Sequence, residues 1–154
     1  MTVTTMQTDP TRIAAIRAFT RFYTAILRVL EERLLDSPYS MTQARVIFEL
    51  AQRPATDVAD LRRDLGVDAG YMTRIIERLE TDEVLSRERS TADARRQVLR
   101  LTEQGRAVFA TLDERSAAQV ADLLAGVPDA DQRRLVAAMD TIQAVLGATP
   151  SRPR

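Results

Sequence analysis

Five arginines fall between Ser86 and Arg100 against only Glu88 and Asp93, a local excess of three positive charges in a chain whose formal net charge is zero. A guanidinium is always charged, and its planar fork matches phosphate oxygens and guanine edges. That segment is suited to touching nucleic acid, because binding depends on where charge lies and not on its sum. A second group of suitable side chains lies just upstream, where Tyr71, Thr73, Arg74 and Arg78 form the polar side of an apolar-striped segment. Gly70 beside them lets a backbone come close to a groove.

Other chemistry is scarce. The 154 residues contain no cysteine and no histidine, and all 22 basic residues are arginine. Disulfides, thiolate or imidazole metal sites and the usual bases for a serine or threonine nucleophile are thereby removed. The 22 acidic residues fall mostly on polar faces of amphipathic stretches, where they read as solvated surface. No glycine-rich phosphate loop occurs, since the five glycines stand singly. The expectation is a protein that is not an enzyme and uses neither cofactor nor metal.

The elements that must position the arginines follow from periodicity. From about Pro10 to Asp36, residues Ile13, Ile16, Phe19, Tyr23, Ile26, Leu27, Leu30 and Leu34 recur at three- and four-residue steps, one face of a long helix. Ser40 with Gln43 has the spacing of a capping box and opens a helix striped by Ala44, Ile47, Leu50 and Ala51. A short helix follows Thr56 or Asp57, with Val58, Leu61 and Leu65 inward and Gly66 placed to close it in the left-handed conformation. Asp68 caps the next helix, Ala69 to about Asp82, striped by Met72, Ile75, Ile76 and Leu79. Two amphipathic helices across Gly66-Val67-Asp68 match a helix-turn-helix, a pattern that ordinary helical hairpins share.

The next segment favours the DNA-binding version. Val84 to Arg89 and Gln97 to Leu101 alternate like paired strands around a polar tip, with Val84, Leu99 and Leu101 able to cover the end of a helical core. Thr102 caps a further helix, and Gly105 permits close packing against this wing. Val108, Leu112, Val120, Leu123 and Leu124 stripe that helix, Gly126-Val127-Pro128 breaks it, and Asp129 with Gln132 restarts it as a capping-box variant that runs to Gly147.

The fold expected is mainly α with a small two- or three-stranded β-wing. A winged helix-turn-helix core over residues 40–102 stands between long helices over 10–36 and 103–147, all within a single subunit of residues 1–154. The terminal helices carry more apolar surface than one small subunit can bury, so they read as dimerisation helices of a symmetric pair. No apolar run approaches the length needed to cross a bilayer, and Met1 to Pro10 lacks an apolar signal core, so no membrane contact and a cytoplasmic location are expected.

The chain resembles the MarR family of bacterial transcriptional regulators. The resemblance rests on the long first helix, on Asp60-Leu-Arg-Arg-Asp-Leu-Gly66, on Met72-Thr-Arg-Ile-Ile-Glu-Arg-Leu-Glu80, and most specifically on Asp93-x-Arg95 followed by Leu101-Thr102-x-x-Gly105. The stretches Tyr39-Ser-Met-Thr-Gln-Ala-Arg-Val and Asp68-Ala-Gly-Tyr-Met also look like regulator domains that in some bacteria are fused to an acetyltransferase.

The resemblance implies a homodimeric, sequence-specific DNA-binding repressor, released by a small-molecule effector, with double-stranded DNA bearing an inverted repeat as its partner. Gly70, Tyr71, Thr73, Arg74 and Arg78 would face DNA from the recognition helix, with Arg74 reading guanine and Arg78 on phosphate. Arg95 would enter the minor groove, Asp93 would hold the loop, and Arg96 would share or replace Arg95. Asp57, Asp60, Asp64 and Asp68 would weaken nonspecific binding. The effector site is not readable. Two other functions fit the sequence: a winged module that binds protein, and a regulatory partner of an acetyltransferase.

Overall fold

The computed structural model describes residues 9–34 and 37–147. The chain divides into two compact units, Met1–Ala117 and Ala118–Arg154. In chain order the elements are α1 (Pro10–Leu34), α2 (Met41–Ala51), β1 (Thr56–Asp57), α3 (Val58–Leu65), α4 (Ala69–Thr81), β2 (Leu85–Arg89), β3 (Gln97–Leu101), α5 (Glu103–Leu124) and α6 (Asp129–Gly147). This is a mainly helical fold with a small antiparallel sheet, a winged helix-turn-helix.

The first five helices each start at a side chain that satisfies amides left over at the first turn. Asp9 accepts the Thr11 N–H ahead of α1, and Pro10 sits where its missing N–H costs nothing. Ser40 Oγ accepts the Gln43 N–H while Gln43 Oε1 accepts the Ser40 N–H at 2.8 Å, the reciprocal box expected for α2. Asp57 Oδ1 caps α3 by accepting from Ala59 and Asp60, and Asp68 Oδ1 caps α4 by accepting from Tyr71 at 2.9 Å. Between α3 and α4 the chain turns at Gly66, whose φ of 64° is the left-handed conformation that a Cβ disfavours.

The core of the first unit joins α2, α3 and α4 to the sheet. Ala44, Val46, Ile47 and Leu50 of α2 are buried with Leu61 and Leu65 of α3, Met72, Ile75, Ile76 and Leu79 of α4, and Val84, Leu85, Leu99 and Leu101 around the wing. The strand order is β1-β3-β2, with Leu85 opposite Leu101 and Arg87 opposite Leu99, so the central strand buries Leu99 and Leu101 on one face. The third strand, β1, is only two residues long, too short to register as alternation.

Val84 and Leu85 are adjacent and both buried, which breaks the alternation expected from Val84 to Arg89. The reason is the entry to the strand: Glu83 adopts φ 58°, and the Val84 N–H still donates to the Leu79 carbonyl at the end of α4. Val84 therefore closes the helix end, and β2 begins at Leu85. Thr102 Oγ accepts the Gly105 N–H at 2.9 Å to start α5, as expected. A Cβ on Gly105 would lie 1.9 Å from the Val84 carbonyl oxygen, so only glycine allows α5 to begin this close to the wing.

On α1, Ile13, Ile16, Phe19, Phe22, Tyr23 and Leu27 remain exposed, and the Phe19 and Tyr23 rings stack at 5.7 Å. The expected stripe residues Leu30 and Leu34, and the expected end at Asp36, lie outside the side chains described. In the second unit α6 buries no side chain, and Leu135, Val136, Met139, Ile142, Val145 and Leu146 are exposed. One expectation is corrected here: Asp129 does not cap α6 in a box with Gln132. Asp129 is already inside the helix, the Pro128 carbonyl accepts the Asp131 and Gln132 N–H groups, and Gln132 Nε2 donates back to the Val127 carbonyl at 2.9 Å. Pro128 wins the position because a fixed φ suits the entry to a helix.

Candidate nucleic-acid interface

Helix α4 divides cleanly into a buried stripe and an outer face. Its outer face carries Gly70, Tyr71, Thr73, Arg74 and Arg78, the residues selected from sequence. A Cβ on Gly70 would meet only Asp68 Oδ1 at 3.5 Å, an ordinary contact, so nothing within the chain requires glycine there. Thr73 Oγ donates to the Ala69 carbonyl at 2.9 Å, which leaves its methyl group and oxygen lone pairs facing outward chemistry. The Arg74 guanidinium lies 5.7 Å from the Tyr71 ring centroid and has no ion pair among the described residues. The surface pair with Glu77 that spacing alone permits is not formed. Stacking on Tyr71 steadies the fork while leaving its donors unspent.

Arg78 stands differently. Its Nε is 2.9 Å from Asp82 Oδ2, so its charge is already engaged at the C-terminal end of α4. The same pair acts on Tyr39, whose hydroxyl is pushed above its ordinary range by burial and by Asp82, with Arg78 opposing.

The wing loop is organised by backbone hydrogen bonds to two short side chains. Ser90 Oγ accepts from the Ala92 and Asp93 N–H groups, and Asp93 Oδ1 accepts the Arg95 N–H at 3.0 Å. The Ser90 N–H donates to the Arg96 carbonyl, and the Arg96 N–H to the Asp93 carbonyl, both at 2.9 Å. Asp93 thus holds the loop through the backbone of Arg95 and not through its guanidinium. The Arg95 side chain has no hydrogen bond or ion pair among the described residues.

Neighbouring arginines are spent on the fold. Arg87 Nη2 lies 2.9 Å from Glu80 of α4, and Arg100 donates to the Pro54 carbonyl at 3.0 Å. Arg96 places Nε 2.9 Å from Asp57 and Nη2 3.2 Å from Asp60. The wing is therefore less basic than its arginine count indicates. Of the arginines at 87, 89, 95, 96 and 100, only Arg89 and Arg95 lack such a tie among the described residues.

The acidic residues around the helix-turn-helix are engaged too. Asp57 and Asp68 are caps, Asp60 also pairs with Arg63 at 3.0 Å, and Asp64 lies 3.7 Å from Arg63. Partial burial pushes the Asp57 carboxyl up, but hydrogen bonds from Arg96 and from the Asp60 and Ala59 amides, with the Arg96 charge, outweigh it and hold the group below its ordinary value.

Between α3, α4 and the wing lies a cleft of about 290 Å³ lined by Arg62, Ala69, Met72, Thr73, Arg96 and Gln97 among others. Arg62 has no ion pair among the described residues, and it was not selected from sequence. Its position beside Thr73 depends on the angle between two helices, which no local pattern encodes. A second cleft of about 440 Å³ is lined by apolar Leu50, Ala51, Pro54, Leu101 and Phe109 together with Gln52, Arg53 and Arg106. Among the described residues no group of three acidic, histidine or cysteine side chains could hold a metal ion. No described helix is long and apolar enough to cross a membrane.

Comparison with known proteins agrees with this geometry. Residues 39–97 match the model of the MarR family. A MarR family protein from Bacillus stearothermophilus superposes with a TM-score of 0.79 at 17% identity, over 92% of this chain and 99% of that one. AbsC, a MarR family transcriptional regulator from Streptomyces coelicolor, gives 0.72 at 20% identity over 94% and 100%. A mutant MarR from E. coli complexed with operator DNA gives 0.70 at 19% identity over 88% and 98%. No curated protein sequence matches the chain. The matched segment holds the helix-turn-helix and the wing as far as Gln97, where β3 begins, and over that segment the chain is similar to the MarR family.

Proposed function

We propose that this protein is a dimeric, sequence-specific DNA-binding repressor that acts in the cytoplasm, is not an enzyme, and is released from DNA by a small-molecule effector. The observation that carries the reading is the pair of unspent guanidinium groups, Arg74 on α4 and Arg95 at the wing tip, on a surface whose other arginines are largely tied to carboxylates. A recognition helix in the major groove and a wing in the adjacent minor groove need just such groups. Arg74 meets guanine edges, and Arg95 enters a narrow groove of high negative potential. Gly70, Tyr71 and Thr73 line the base-facing side, and Arg62 and Arg78 meet phosphate, Arg78 by exchanging Asp82 for a phosphate oxygen.

Residues 40–102 form the DNA-binding core. The exposed apolar faces of α1 and of α6 are, in this reading, each covered by a second copy of the chain. Two such subunits place their recognition helices about 34 Å apart and call for an inverted repeat. The cleft lined by apolar side chains with Arg53 and Arg106 suits an amphipathic anion as effector.

The experiment is a footprint on the DNA upstream of the protein's own gene, with selection from a random duplex pool in parallel. Protection of an inverted repeat, lost in the double variant Arg74→Ala, Arg95→Ala, supports the reading. No protection at low salt and no enriched sequence would sink it.

A further inference from the structure

Arg96 adjoins the unspent Arg95 in sequence, yet the two side chains have different surroundings. The Arg96 guanidinium reaches 39 residues back in the chain to Asp57 and 36 back to Asp60, donating at 2.9 and 3.2 Å. Asp57 is a firm anchor. Its side chain is only 12% exposed, its Oδ1 is fixed by the Ala59 and Asp60 amides, and its backbone pairs with Val98 of β3. The other hydrogen bonds of the loop from Ser90 to Arg96 close the loop on itself. Among the described residues, Arg96 is thus the side chain of this loop that ties it to the helix-turn-helix.

We propose that Arg96 is a positioning residue: it fastens the wing to α3 through Asp57 and Asp60, so that Arg95 and helix α4 meet DNA as one rigid body, while Arg96 itself touches no DNA. The inference rests on the DNA-binding reading and assigns within it a division of labour between adjacent arginines. A guanidinium shared by two carboxylates is already neutralised. Meeting a phosphate would require giving up both partners, one of them largely shielded from water. Holding the wing in advance instead removes the ordering cost that a loose arginine loop would carry on binding.

Two measurements test this. The first compares wild type, Arg96→Gln, Arg95→Ala and the double variant for binding to the duplex that wild type enriches from a random pool, across a salt series. Arg96→Gln is expected to weaken binding about tenfold with the salt slope unchanged, and to add less than about twofold once Arg95 is alanine. A slope lower by about one, with losses that add, would show a direct phosphate contact and overturn the proposal.

The second needs no DNA. Amide hydrogen exchange at Arg95, Arg96 and Gln97 is expected to rise about tenfold in Arg96→Gln, and by a smaller factor in Asp60→Asn, while Met72 to Leu79 stay protected. Unchanged exchange in the wing would overturn the clamp. A wild type that enriches no duplex, with exchange altered as expected, would overturn the function proposed above and leave the clamp standing.

Discussion

Thr56 is buried at 4% exposure, and its hydroxyl has no hydrogen-bond partner. It sits in β1 opposite Leu99, where a β-branched side chain fits the strand but a hydroxyl does not. Valine keeps the shape and removes the orphaned group, so Thr56→Val is expected to raise the unfolding free energy by about 1 kcal/mol. Urea denaturation measures it, and a loss of stability would mean that the hydroxyl holds a bridging water. Gly105 is the opposite case. With the Val84 carbonyl oxygen 1.9 Å from its would-be Cβ, and that oxygen also accepting the Thr102 N–H, Gly105→Ala must push α5 off the wing. A loss of about 3 kcal/mol is expected from overpacking against backbone that cannot yield, and a thermal melt matching wild type would contradict it.

At the scale of elements, the contact between the wing and α3 is ionic, which gives it a pH dependence of known sign. Against the upward push of partial burial, the Arg96 guanidinium and two backbone amides hold the Asp57 carboxyl below its ordinary range, so it binds its proton less readily folded than unfolded. The stability it contributes is present above the unfolded value and is lost as pH falls through the lower, folded one. Arg96→Gln removes the ionic partner. The gap in stability between wild type and this variant should therefore be constant near neutrality and shrink as pH is lowered below about 4. Chemical denaturation across that range checks it, and a gap that widens in acid would assign the ion pair the wrong sign.

The same elements mark what the sequence discloses. Helix starts at Ser40 and Asp68 and the turn at Gly66 are readable because their determinants are local, a cap and its amides lying within three residues of each other. The sequence leaves Thr56 and Asp57 both open as the start that Asp57 in fact caps. The wing was readable from its alternation, and Gly105 from its place behind Thr102. The two-residue β1, the buried Leu85 and the turn at Glu83 were not, because each is fixed by partners across the fold. At the interface, residue type selected Arg74 and Arg95. It could not separate Arg95 from Arg96, or detect that Arg78 is taken by Asp82, because these depend on which carboxylates the fold brings near.

For the whole molecule, the proposed dimer decides how strongly a neutral protein holds DNA. With formal charge zero and much of the arginine on this face tied to carboxylates, one winged core would, in the proposed reading, make few net phosphate contacts and bind DNA with modest affinity. Linking two cores turns the second half-site into an intramolecular encounter, which raises affinity without new contacts. The surface proposed to do this includes α1, where Ile16 is 62% and Phe19 45% exposed. Ile16→Glu puts a charge where the partner's apolar surface would cover it, at little cost to its own exposed helix. The expected result is a monomer at micromolar concentration by sedimentation equilibrium. Its thermal melt should keep a folded winged core, and its affinity for a full inverted repeat should fall about a hundredfold, to that for a half-site. Retained dimerisation with undiminished binding would place the subunit contact elsewhere. A monomer that still bound the full repeat tightly would show that each core holds DNA alone, and the coupling argument would fail with it.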